Sequence, residues 1–63
     1  MENVSIPDVI ERIQIILKHD GCKKTKGEIK KFLENTFPIE MNKKIISIED
    51  AKNLYKAAWE EYN

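Results

Sequence analysis

The sequence predicts a small all-α domain of three helices, with an irregular or short extended segment between the second and the third. Two observations predict it: a hydroxyl precedes a carboxylate by three residues at three places, and each place leads into an apolar stripe of helical spacing. Ser5-Ile-Pro-Asp8, Thr25-Lys-Gly-Glu28 and Ser47-Ile-Glu-Asp50 are those places. At a helix start the hydroxyl accepts from an orphan backbone N–H, while the carboxylate reaches back to the amide of the capping residue. Asp reaches less far than Glu, so the first and third boxes should be the weaker ones.

The first helix is expected over 6–19. Pro7 fits its first turn, where a missing N–H costs nothing, and Val4 and Val9 stand at the positions of a hydrophobic staple. Ile6, Val9, Ile10, Ile13, Ile16 and Leu17 share one face. Gly21 then supplies a residue that can turn left-handed and close the helix end. The second helix is expected over 26–36, with Ile29, Phe32, Leu33 and Phe37 aligned and Pro38 stopping it through the residue before. For the third, over 48–62, the stripe is Ile48, Ala51, Leu54, Tyr55, Ala58, Trp59 and Tyr62, with Trp59 and Leu54 at its margins. Between 38 and 46 the pattern is mixed: Ile39 and Met41 alternate with polar residues, and Asn42-Lys43-Lys44 reads as a turn. No internal repeat is expected beyond the three caps.

Residues 1–63 are read as a single domain. A chain this short buries only roughly 60% of its unfolded surface, so its stability should be marginal. One cysteine and one histidine can make neither an internal disulfide nor a structural zinc site. Helix packing or a partner must supply the stability. No stretch approaches the ~20 apolar residues of a membrane span, and the acidic start lacks the order of a signal peptide. A cytoplasmic location is expected, which an unpaired Cys22 suits. Met1 at the start and an amphipathic helix at the end fit a complete small protein as well as a fragment.

Eleven basic residues balance eleven acidic ones, which argues against a surface built throughout to grip nucleic acid or anionic lipid. The balance is uneven along the chain. Residues 1–17 sum to −2, residues 18–31 to +4 and the remainder to −2. The basic stretch holds Lys18, Lys23, Lys24, Lys26, Lys30 and Lys31.

Few side chains suggest chemistry. His19, Asp20 and Cys22 are close in sequence, and a cysteine–histidine pair among lysines is one route to a nucleophilic thiolate. A polar helix end, with Lys18 and His19 at the negative pole of the helix dipole, explains the same residues without catalysis. Glu49-Asp50 and Glu60-Glu61 are adjacent carboxylates that diverge on a helix; Asp50 belongs to a cap, and Glu60 is spaced to pair with Lys56. No enzyme activity, cofactor or metal is expected.

The turn at Gly21 between two helices resembles a helix-turn-helix, in which a glycine opens the turn. That family surrounds its glycine with apolar residues; here the flanks are Asp20 and Cys22, and the sixth and ninth residues onward are Gly27 and Lys30. The resemblance covers one glycine. The run Ile-Ile-Ser-Ile-Glu-Asp-Ala-Lys-Asn-Leu-Tyr at 45–55 resembles an EF-hand loop entering its exit helix. Aligning Asp50 with the last ligand puts Ile39, Met41 and Lys43 where oxygen ligands belong, and Lys44 in place of the loop glycine, so no calcium site is implied.

What remains is apolar surface off the stripes. Ile15 lies about 180° from the centre of the first stripe, and Ile39 and Met41 fall in the mixed segment. Trp59 is a residue type of interface hot spots, although its stripe position favours the core. The function expected is a small regulator, inhibitor or adaptor that binds another protein, or itself as a homodimer, through Ile15, Ile39, Met41 and Trp59. The alternative is a DNA-binding regulator whose Lys23, Lys24, Lys26, Lys30 and Lys31 meet phosphates. A redox switch or enzyme at Cys22 is a third.

Overall fold

The computed structural model describes residues 2–63, which run β1 (Asn3–Ser5), α1 (Ile6–His19), α2 (Lys26–Thr36), α3 (Pro38–Met41), β2 (Ile45–Ser47) and α4 (Ile48–Tyr62). The fold is mostly helical, and its three long helices occupy the spans their caps predict. Ser5, Thr25 and Ser47 each accept a hydrogen bond from the backbone N–H three residues on. Reciprocity depends on reach. Only Glu28 returns the contact, its Oε1 accepting from the Thr25 amide at 3.2 Å; Asp8 and Asp50 are too short, and their boxes stay one-sided.

The far end of α1 closes through Gly21, whose φ of +84° is the only left-handed backbone among the described residues. The Cys22 amide donates to the Leu17 carbonyl at 2.9 Å and the Gly21 amide to that of Lys18 at 3.0 Å. This pair of bonds satisfies two helix-end carbonyls and turns the chain toward α2. The residue after the glycine in such a cap commonly rests on apolar side chains behind it. Cys22 does so, half-buried against the core.

The segment between α2 and α4 is both helical and extended. Pro38 starts the short helix α3 at its first position, and Ile45–Ser47 then pairs antiparallel with Asn3–Ser5. The sequence pattern does not reveal the ribbon, because its N-terminal strand offers one apolar residue, Val4. Val4 lies opposite Ile46, and bonds from the Ile6 amide to the Lys44 carbonyl (3.0 Å) and from the Ile48 amide to the Glu2 carbonyl (3.3 Å) extend the ladder at each end. Two of the three caps share their flanks as well. Val4-Ser5-Ile6-Pro7-Asp8-Val9 and Ile46-Ser47-Ile48-Glu49-Asp50-Ala51 are each a strand end, a serine cap and a helix start. The antiparallel register places them about a local pseudo-two-fold.

One hydrophobic cluster joins the elements. Val9, Ile13 and Leu17 of α1 meet Ile29 and Leu33 of α2 and Ala51, Leu54 and Ala58 of α4, with Ile46 closing the ribbon end. Ala51 and Ala58 keep α4 close to α1. Leu54, at a stripe margin, is fully buried, whereas Trp59 at the other margin is 41% exposed. Ile16, expected in the core, is 39% exposed, because α1 packs between α2 and α4 through a narrower stripe than the sequence allows. Among the described residues no helix is long and apolar enough to cross a membrane.

Candidate protein-interaction site

The exposed apolar residues of α1 and α4 converge. Ile15, 61% exposed, and Ile16 line an open groove of about 420 Å³ together with Val4 from the ribbon and Tyr55 from α4. Asp8, Glu11 and Arg12 also line it, so an apolar floor carries charge of both signs around it. Ile16 and Tyr55 continue into a shallow depression that ends at Trp59. Helical geometry creates the patch. Ile16 leans to the α4 side of the α1 stripe, Tyr55 and Trp59 lean to the α1 side of theirs, and the two margins meet where the helices pack.

Of the four residues proposed from sequence for protein contact, two share this face. Ile15 and Trp59 flank it through Ile16 and Tyr55. Ile39, 72% exposed on α3, lines neither hollow. Met41, the last residue of α3, is half-buried and packs on the core. Sequence reasoning missed Ile16 and Tyr55, which read as core, and Val4, which read as part of a hydrophobic staple. Stripe position alone does not separate them from core, since Leu54 at a stripe margin is fully buried.

The lysines do not gather into one surface. Lys23 and Lys24 line a hollow with Lys18, Gln14 and Thr25, while Lys26 and Lys30 line a different one beside Ile6 and Pro7. Lys31 lies exposed outside both, on the far side of α2 by helical geometry. Lys24 is occupied by the fold. Its carbonyl accepts from Gln14 Nε2 at 3.0 Å, and its Nζ lies 3.9 Å from Glu28 Oε2 and 5.2 Å from the centroid of the Tyr62 ring. Tyr62 in turn packs edge-on against Phe32 and donates from its hydroxyl to the Glu28 carbonyl at 3.5 Å.

Two titrating groups record this arrangement. The Glu28 carboxyl is held below the ordinary glutamate range, chiefly by the Thr25 amide and then by its hydroxyl and Lys24. Burial pushes the Tyr62 hydroxyl up, with Glu61 and Glu28 adding to it. Lys24–Glu28 is the ion pair among the described residues; the expected Lys56–Glu60 pair is not formed.

Cys22 is free and half-buried at the end of α1. Its backbone closes α1, its side chain rests on the core, and His19 and Asp20 are exposed. Among the described residues no group of three acidic, histidine or cysteine side chains is placed to hold a metal, and no buried side-chain polar atom lacks a partner. No protein-family model, curated protein or solved structure matches the chain.

Proposed function

We infer that the chain is a small non-catalytic interaction protein, a regulator, inhibitor or adaptor, that acts by binding protein through the α1–α4 face. One observation supports the reading. Ile15, Ile16 and Trp59, the large apolar side chains that α1 and α4 leave exposed, line two adjoining hollows that share Ile16 and the half-buried Tyr55. Scattered apolar residues are ordinary on any surface, whereas a contiguous patch rimmed by charge is the composition of a contact. Tyr55 and Trp59, two aromatic side chains of this face, supply large area at low entropic cost.

The test is capture from native cytosol on immobilised wild-type protein, compared with Ile15→Asp, Trp59→Ala and Ile39→Asp. The expected result is a bound protein, or an untagged copy of the chain, retained by Ile39→Asp and lost by the other two. Equal capture by all four would overturn the reading. A DNA affinity that falls steeply with salt and disappears when Lys23, Lys26 and Lys30 become Glu would replace it with nucleic-acid binding.

A further inference from the structure

We propose that the occupant of this face is a second copy of the chain, docked with the two α1 helices antiparallel about a two-fold axis. The proposal rests on the protein-binding reading above and names its partner. A two-fold contact brings a face against itself, so that face must be self-complementary.

The α1 surface meets this condition in spacing and in charge. Asp8, Arg12, Ile15 and His19 are all exposed and fall within about 60° of one another around the helix. Their 4-3-4 spacing is that of a seam between two helices. Antiparallel alignment about the middle of that seam sets Asp8 against His19 of the other copy and Ile15 against Arg12, whose methylene stem can cover an apolar neighbour. Each pairing occurs twice.

Flanking the seam, Glu11 stands in the second turn of α1 and Lys18 in its last, both exposed on the same side. Antiparallel helices bring each Glu11 to the other copy's Lys18, whereas parallel helices would set Glu11 against Glu11 and Lys18 against Lys18. On the opposite flank, Ile16 and Tyr55 of each copy border the seam, one pair on either side of the two-fold axis. Antiparallel helix dipoles also attract, and a net charge of zero leaves no long-range repulsion between copies.

Sedimentation velocity of the pure protein, up to about 1 mM, tests the proposal, with a dimer dissociation constant expected on the order of 100 µM. Ile15→Asp should raise that constant roughly a hundredfold, because a two-fold contact counts each substitution twice. Glu11→Lys and Lys18→Glu should each weaken association by about tenfold, and the double variant should return to within about twofold of wild type. Far-UV circular dichroism verifies that each exposed substitution leaves the fold intact. A wild-type monomer at every concentration, or a double variant no better than the singles, would overturn the antiparallel dimer. If a different protein is still captured in an Ile15- and Trp59-dependent way, the dimer falls and the protein-binding reading stands. Loss of both removes both.

Discussion

The two flanks of α1 solve the same packing problem in different ways. Toward α2, polar groups find partners within the chain: Gln14 holds the Lys24 carbonyl, Lys24 meets Glu28 and Tyr62, and Tyr62 seals against Phe32. Toward α4, the core is equally closed beneath, but Ile15, Ile16 and Trp59 remain in water. The charged flank carries the lysines of the nucleic-acid alternative, and one of them, Lys24, is engaged by Glu28 and Tyr62. A cluster of charge can be consumed by the fold that displays it, whereas apolar surplus at the meeting of two stripes has nothing inside the chain to cover it.

Substitution can sharpen that contrast. The largest effect should come from the residue common to both flanks. Leu17 is fully buried and its carbonyl anchors the end of α1. Leu17→Ala should cost about 2–5 kcal/mol in urea unfolding, a large share of the roughly 3–9 kcal/mol expected of a domain this size. Tyr62→Ala should cost roughly 2 kcal/mol through lost area and the lost edge contact with Phe32. Trp59→Ala, though it removes a larger side chain, should cost less than Tyr62→Ala, because its surface is shared with solvent. A Trp59 variant as destabilising as the Tyr62 one would mean that both flanks are structural.

Gly21→Ala meets no steric neighbour, but forcing a left-handed conformation on alanine should cost about 1–2 kcal/mol. A melting temperature unchanged by this substitution would show that the turn can be rebuilt another way. The smallest effect is the pH response of the α2 cap. Glu28 has its folded pKa lowered, so its stabilising contribution is present above the unfolded value of 4.5 and disappears as pH falls through the folded value. A Glu28→Gln variant should show a weaker fall in melting temperature across that acidic window than wild type does. An identical fall in both would assign the acid response elsewhere.

Much of the fold is legible because its strongest determinants are local. Ser5, Thr25 and Ser47 mark three helix starts within four residues of sequence, and Gly21 marks a helix end by itself. The ribbon is not local. Three residues at each of two distant places, one of them with a single apolar side chain, carry no periodicity to recognise. Ile16 shows the same limit within a helix: its angle on α1 is read from spacing, but its exposure depends on where α4 crosses. The interaction face is therefore only half legible. Ile15 stands out as apolar on a polar side, whereas its companions Tyr55 and Ile16 resemble core until the two helices are placed together.

The ribbon also bears on the order in which the chain folds. Pairing Val4 with Ile46 closes a loop of 42 residues, at an entropic cost of roughly 3 kcal/mol. Three-residue strands cannot offset that alone, so the ribbon should zip only after α1 and α4 have docked. Shortening Ile46 to Val should then leave the refolding rate nearly unchanged and speed unfolding. In that sequence of events the ribbon is a late clasp, and its contribution is to how long the native state lasts.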